Sequence, residues 1–435
     1  MAKFIIDGGS HLAGTIQPQG SKNEALQVIC ATLLTDEVVT LHNIPNIADV
    51  QSVMKLLTLL GVQITRLGDR GYQFCAKHVA KEAMLTATFR QEYTKVRGSI
   101  MLLAPLLIRF KQCIIAKPGG DRIGRRGLHA HFEGLAQLGI SFYYHAAQAA
   151  WEVKYQELKG ADVWMSEPSV TGTANLIMAA SMAKGKTIIY PAACEPHIQQ
   201  LCHMLVAMGS RISGIGSNLL TIEGVPVLGG TTHTILPDIL EIGSFIGLAA
   251  TTQSALTITD VPMPFFAPVW YCFKKLGIVL EQQGNQLHIP VQPCYKIKPE
   301  MDGNLVTLYD AVWPGIPADL ISIAVVTAVH AQGHMLIHQK MFESRLFFVD
   351  HLIEMGARLV LCDPHRVHIV GLGNSHKLQG THMSSSDIRA GIALLIAALA
   401  AEGSSTIENI SQIDRGYEYI DQRLNALGAS IERVE

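Results

Sequence analysis

Leu276-Gly277-Ile278-Val279-Leu280 is one of six copies of a single short pattern. The others are Leu60-Gly61-Val62-Gln63-Ile64, Leu138-Gly139-Ile140-Ser141-Phe142, Met208-Gly209-Ser210-Arg211-Ile212, Met355-Gly356-Ala357-Arg358-Leu359 and Leu427-Gly428-Ala429-Ser430-Ile431. Their glycines recur at intervals of 78, 70, 68, 79 and 72 residues. A helical apolar period precedes each glycine and an alternating apolar segment follows it. That combination predicts a helix ended by a left-handed glycine and then a strand. Repetition on this scale means a stack of like units.

A second element interleaves with the first. Six helices with apolar residues nearly all round begin near Lys22, Arg97, Gly172, Glu241, Asp319 and Asp387. Such helices are expected to be buried on most faces. Each is followed by a polar or glycine turn and a short strand, as in Gly185-Lys186-Thr187-Ile188-Ile189 and Gly403-Ser404-Ser405-Thr406-Ile407. The repeat therefore reads β-α-β-α-β-β. Six repeats divide into two domains of three, with Ser217 to Pro237, containing Gly224, Pro226, Gly229 and Gly230, as the expected linker. Two similar domains leave a cleft where ligands commonly bind.

Composition narrows the function classes. The 435 residues are 49% hydrophobic and 16% charged, which excludes disorder. A net charge of -2 argues against a general nucleic-acid or membrane-surface binder. The start, Met1-Ala2-Lys3-Phe4-Ile5-Ile6-Asp7, lacks a signal-peptide core, and the apolar run from Ile388 to Ala401 is too short to span a bilayer. Eight scattered cysteines without a CxxC read as reduced thiols, mostly core filler, of a cytoplasmic protein. The close pairs His129/His131 and His365/His368 lack a suitably spaced third ligand, so they read as surface or polar-contact histidines.

The chemistry concentrates in Lys117-Pro118-Gly119-Gly120-Asp121-Arg122-Ile123-Gly124-Arg125-Arg126. Glycines let a loop move or approach a ligand closely. Three arginines beside one acid suit an anionic ligand with one proton-transfer group. The buried helices also begin with unusual polar residues: Ser21-Lys22-Asn23, Lys95-Val96-Arg97, Ser169-Val170-Thr171, Asp238, Asp319 and Ser384-Ser385-Ser386-Asp387-Ile388-Arg389. Serines and aspartates there serve as caps, Ser384 to Ser386 above all. Cations at Lys22, Arg97 and Arg389 oppose the helix dipole, and an anionic ligand would remove the conflict.

Ser21-Lys22-Asn23, Pro118-Gly119-Gly120-x-x-Ile123-Gly124-x-Arg126, Phe342-Glu343-x-Arg345, Asp387-Ile388-Arg389-Ala390 and Ile413-Asp414-Arg415-Gly416-Tyr417-Glu418 resemble, in order and across essentially the whole chain, the UDP-N-acetylglucosamine 1-carboxyvinyltransferases, the MurA-type enolpyruvyl transferases. The resemblance implies an α/β fold of two domains, an inside-out α/β barrel, with domain 1 over 22–235 and domain 2 over 1–21 plus 236–435. It implies transfer of the enolpyruvyl group of phosphoenolpyruvate (PEP) to the 3-hydroxyl of UDP-N-acetylglucosamine with release of phosphate, the first committed step of peptidoglycan synthesis. It implies no cofactor or metal, and no nucleic-acid or membrane partner. Lys22, Arg126 and Arg415 would bind PEP, with Arg97 and Arg389 assisting. Asn23, Arg97, Ser169, Val170, Met341 and Arg345 would face the sugar nucleotide or the reacting centre. Asp319 would take the sugar hydroxyl proton, and Asp121, Lys22, Asp319 and Arg415 form the implied catalytic set. The Asp121 loop would close and exclude water.

Several positions depart from that family's pattern. Most members carry cysteine where this chain has Asp121. A carboxylic acid can deliver a proton, but surrounding arginines favour its charged form, so an acid role calls for desolvation on closure. Without the thiol, fosfomycin is expected to form no adduct. Gly127 and His129 stand where proline and aspartate are usual, Glu167 replaces a lysine, and Ile239 replaces an arginine, all near the implied uridine contacts. Three other readings compete: a shikimate 3-phosphate enolpyruvyl transferase, whose Gly-Asn-Ala-Gly-Thr segment is missing; a non-catalytic sugar-nucleotide-binding relative; and an RNA 3'-end-processing protein, disfavoured by the absence of a basic stripe.

Overall fold

All six signature glycines have left-handed φ, between 83° and 106°. The backbone of each closes a helix. At Gly277, for example, the glycine N–H reaches the carbonyl of Lys274 at 3.0 Å, and the N–H of Ile278 reaches that of Phe273 at 3.1 Å. This pairing satisfies the last carbonyls of the helix and turns the chain into the next strand. The computed structural model describes residues 2–121, 123–124, 126–373 and 375–435.

The chain divides into two compact units. A terminal unit comprises Met1–Gln19, Asp121–Arg126 and Pro237–Glu435, and a central unit comprises Gly20–Gly120 and Gly127–Leu236.

The terminal unit holds three four-stranded sheets of one design. In the first, Val306–Tyr309 runs parallel to Gln332–His338, which pairs antiparallel with Arg366–Leu372, and Leu359–Asp363 lies at the edge. In the second, Ala13–Ile16 is parallel to Ala255–Ile258, followed by Gln286–Ile289 and Glu281–Gln283. In the third, His382–Ser384 is parallel to Ser404–Glu408, and the antiparallel neighbour is Lys3–Asp7, flanked by Ser430–Val434. The first strand of the chain thus completes the sheet of the last repeat.

Three helices connect the parallel pairs: Ile239–Thr251, Ile321–His330 and Ile388–Ala400. They pack on one another at the centre of the unit. Every residue of Ile388–Ala400 but the last is buried. The sheets present alternate residues inward onto these helices, as Ser405 and Ile407 do within Ser404–Glu408. Helices lie inside and sheets outside, which is the inside-out barrel. Close helix approach uses small residues: a Cβ on Gly243 would sit 2.4 Å from Leu320, and one on Gly247 would sit 2.5 Å from Ile323. Each fully buried Leu, Ile or Phe in this core contributes about 1.5–3 kcal/mol.

The central unit repeats the plan around Lys22–Ala31, Leu103–Phe110 and Val170–Ala180. Two features differ from the sequence expectation. Ser217 to Pro237 is no open linker, because it contains strands Leu220–Glu223 and Thr231–Thr234, the latter parallel to Val39–His42. Gly230 serves close strand entry, since a Cβ there would meet the carbonyl of Val38 at 2.4 Å. Among the described residues, the sheet built on Gln112–Ala116 has three strands and no leading parallel one. The chain before it coils into Lys81–Leu85 and Ala87–Tyr93 instead. There the buried helix starts as a 3-10 turn, Arg97–Leu102, before Leu103–Phe110. Pro105, without an N–H, fits the first turn of the α-helix but cannot extend α bonding backward.

Candidate functional site

In the terminal unit, Asp319 sits in the turn Ala318–Leu320 that leads the helix Ile321–His330. Its carboxylate accepts from Arg345 Nη2 on one oxygen and from Arg389 Nε, at 3.2 Å, on the other. Arg345 is 3% exposed, and its Nη1 lies 3.6 Å from Asp387. Neither its Nε nor its Nη1 has a hydrogen-bond partner among the described residues. Arg389, in the first turn of Ile388–Ala400, also donates to the Tyr417 hydroxyl at 2.9 Å, and Tyr417 is tied to Ser244 at 2.8 Å. Burial opposes the Arg389 charge, yet Tyr417, Asp319 and Asp238 outweigh it and hold the guanidinium protonated more firmly than usual. Burial pushes the Tyr417 phenol up.

The Asp121–Arg126 segment, expected in domain 1 with the rest of 22–235, belongs instead to this terminal unit. Asp121 accepts from Arg415 Nη1, which also donates to Gln412 at 2.7 Å. Ile123 is buried, and its carbonyl accepts from the Ser344 N–H at 3.4 Å. Gly124 has φ 111°, and a Cβ there would lie 3.1 Å from Glu343. Arg126 is half-buried; burial lowers its pKa, countered in part by Asp121 and Asp319. The expected arginines Arg122 and Arg125 lie outside the described residues.

In the central unit, Lys22 opens its helix buried and pairs with Asp49 at 2.7 Å. Asn23 follows, half-buried. Arg97 donates to the Gly127 carbonyl at 2.9 Å. Ser169 caps Val170–Ala180 by accepting from the Gly172 N–H at 3.3 Å. Behind them His131 lies 1% exposed, against Thr171 at 2.9 Å and Asn175 at 3.2 Å.

Two points of the sequence reading change. The cations at helix starts do not wait for a ligand to balance them: Asp49 faces Lys22, and Asp319 faces Arg389. Asp49, 27 positions beyond Lys22, carried no sequence signal. The cap of Ile388–Ala400 is Asp387, which accepts from the N–H groups of Arg389 and Ala390 at 2.9 and 3.1 Å. Ser385 and Ser386 donate to Asp387 instead of capping. Met341 is exposed, and its backbone N–H donates to Asp310 at 3.1 Å. Gly127, His129 and Glu167 are exposed and Ile239 is half-buried.

Two units of three helix-centred repeats, with cation–carboxylate pairs at helix starts in each (Lys22–Asp49 in the central unit, Arg389–Asp319 in the terminal unit), define a protein of the enolpyruvyl transferase fold. The enolpyruvyl transferase NikO from Streptomyces tendae superposes with a TM-score of 0.88 at 20% identity, covering 100% of this chain and 99% of that one. An EPSP synthase from Acinetobacter baumannii gives 0.72 at 17%, covering 100% of both. The family model for EPSP synthase (3-phosphoshikimate 1-carboxyvinyltransferase) matches residues 6–424. Proteins named UDP-N-acetylglucosamine 1-carboxyvinyltransferase are far more similar: 53% identity over 434 residues in Bacteroides fragilis and 52% in Porphyromonas gingivalis, each covering 100% of both chains. A relative of that name from Bradyrhizobium diazoefficiens is 45% identical over 433 residues, 99% of this chain and 98% of its own. The chain belongs to this family, the MurA-type branch of the enolpyruvyl transferases. No helix among the described residues is long and apolar enough to cross a membrane.

Proposed function

We propose that the protein transfers the enolpyruvyl group of PEP to the 3-hydroxyl of UDP-N-acetylglucosamine and releases phosphate, acting in the cytoplasm at the first committed step of peptidoglycan synthesis. The observation that carries this reading is the joint placement of Asp121, Arg126, Asp319, Arg345, Arg389 and Arg415 in one unit, in a chain 53% identical over its whole length to a protein named for that activity. In the addition step the sugar oxygen bonds to C2 of PEP while C3 takes a proton. In the elimination step the C2–O bond to phosphate breaks and C3 loses a proton, which restores the double bond. Asp319 takes the hydroxyl proton, and its contacts with Arg345 and Arg389 fix its orientation. Asp121 is the proton donor to C3. Lys22, Arg97, Arg126, Arg389 and Arg415 hold the phosphate and carboxylate of PEP, because charge-assisted contacts suit a trianionic substrate. Asn23, Arg97, Ser169, Val170, Asp319, Met341 and Arg345 contact the sugar nucleotide.

Incubation with PEP and either UDP-N-acetylglucosamine or shikimate 3-phosphate, with phosphate release as readout, tests the proposal. Turnover with the sugar nucleotide alone is expected. Turnover with shikimate 3-phosphate alone, or with neither, would overturn it.

A further inference from the structure

We propose that the terminal unit carries a second binding site, for a phosphate-bearing small molecule with a flat apolar body such as a nucleotide, in the lysine-rimmed pocket between the end of the helix Ala267–Lys275 and the extended chain from Gln292 to Glu300. The proposal does not rest on the transferase reading.

The pocket has a volume of about 430 Å³, within the range of small-molecule sites. Its floor is apolar: Ile278, Tyr295 and Val306 are 5%, 3% and 3% exposed. The Tyr295 ring is held from below by its hydroxyl, which donates to the Thr327 carbonyl at 2.8 Å. Four lysines line the pocket. Lys275 is paired with Glu300 at 2.7 Å. Lys274, Lys296 and Lys298 form no ion pair among the described residues.

The sequence brings these cations together by two means. Lys296 and Lys298 alternate with buried Tyr295 and Ile297, so a period of two turns both lysines outward on one side. Hydrogen bonds hold that segment extended, Ile297 N–H to Gln332 carbonyl and Gln332 N–H to Tyr295 carbonyl, each at 2.9 Å. Gly277 then lets the helix end press against it: with φ 83°, a Cβ there would lie 2.2 Å from the Lys296 carbonyl. The signature glycine therefore does more than end a helix at this repeat. Lys274 has an alternative explanation in the helix C-terminus, which favours cations. Lys296 and Lys298, both exposed, stand at no helix end, and like charges beside a concave apolar floor are stabilised by a bound anion. Lysine is a suitable phosphate ligand as a point charge. The apolar floor adds a surface for a base or ring.

Cys294 lines the same pocket and reports on its occupancy without reference to turnover. The experiment follows alkylation of Cys294 by neutral iodoacetamide, read by peptide mass spectrometry, with exposed Cys362 as internal control. With AMP as the probe at ten times its half-maximal concentration, alkylation of Cys294 is expected to slow about ten-fold, and that of Cys362 to stay unchanged. The slowing should vanish in Lys296→Gln/Lys298→Gln and persist in Lys296→Arg/Lys298→Arg, with both variants folded by circular dichroism. No protection by AMP, or equal protection in the glutamine variant, would overturn the site. Equal protection by inorganic phosphate at the same concentration would overturn the apolar-body part of the assignment.

Discussion

Arg415 donates through Nη1 to the carboxylate of Asp121, 294 positions earlier in the chain. The loop acid is thus an acceptor in this arrangement, and its use as a donor requires the pair to open. If Asp121 is the donor and Arg415 holds PEP, as proposed, opening of this pair would couple proton delivery to ligand arrival. Asp121→Asn keeps the shape and a hydrogen-bond acceptor but removes the acid. Its kcat is expected to fall by about 10²–10⁴-fold, with sugar-nucleotide affinity by calorimetry little changed. Wild-type kcat in that variant would remove Asp121 from the chemistry.

The eight cysteines are all free, and none lies in the Asp121–Arg126 segment. Four of them, Cys30, Cys113, Cys202 and Cys272, are buried, and burial pushes their thiols up, to about 12 in Cys113, Cys202 and Cys272. Fosfomycin acts by alkylating a loop thiolate, so intact-mass spectra after incubation with it should show no adduct. Asp121→Cys should gain one adduct and lose activity with time. An adduct at Asp121 in the wild-type protein would defeat this expectation.

Asp319 serves two guanidiniums at once, and its two substitutions should separate structure from chemistry. Asp319→Ala leaves Arg345 and Arg389 without their shared acceptor and is expected to cost about 1.5–3 kcal/mol of stability in denaturant titration. Asp319→Asn keeps an acceptor oxygen but cannot take a proton. It should lose less stability than the alanine variant yet drop kcat by about 10²–10⁴-fold. Full activity in the asparagine variant would assign the base elsewhere.

The repeat was legible because its signal is local. A glycine between a helical period and an alternating one has a single backbone solution, and all six positions adopt it. What escaped the sequence is non-local. Nothing in Lys3–Asp7 reveals that it pairs with Ser404–Glu408, or in Thr231–Thr234 that it joins Val39–His42. The candidate site divides the same way. Arg389 and Asp387 are neighbours in a motif, so they were seen together. Asp49, which balances Lys22, and Tyr417, whose hydroxyl accepts from Arg389, come from other elements. The serines before Asp387 misled because three capping residues in a row do not say which one stands at the helix start.

Two signature glycines should respond differently to the same change. Gly209, φ 106°, has nothing within 4 Å of an added Cβ, whereas at Gly277 the Cβ would lie 2.2 Å from the Lys296 carbonyl. Gly209→Ala therefore carries only the left-handed backbone cost, about 1–2 kcal/mol. Gly277→Ala adds a steric clash and should lose clearly more in parallel urea titrations. Equal losses at both positions would mean that backbone conformation alone sets the requirement.

His131 gives a pH dependence of known sign. Asn175 is fixed in orientation, because its Oδ1 accepts from the Ala104 N–H at 3.0 Å. Its Nδ2 therefore donates to His131 Nδ1 at 3.2 Å, and His131 Nε2 carries the proton toward Thr171 at 2.9 Å. A charged imidazolium would turn a second donor against the Asn175 amide. Burial, with Arg97 adding repulsion, lowers the His131 pKa to about 3. An unfolded histidine titrates near 6.5, so between those values the unfolded chain binds a proton that the folded one refuses. Stability from this group is whole above about pH 6.5 and declines as the pH falls toward about 3. At pH 5 the loss is about 2 kcal/mol, from 1.5 pH units at about 1.36 kcal/mol each. His131→Gln should be less stable than wild type at pH 7.5, but the gap should narrow by about that amount at pH 5. Denaturant titrations of both proteins at the two pH values measure it, and a constant gap would show that His131 is protonated in the folded protein.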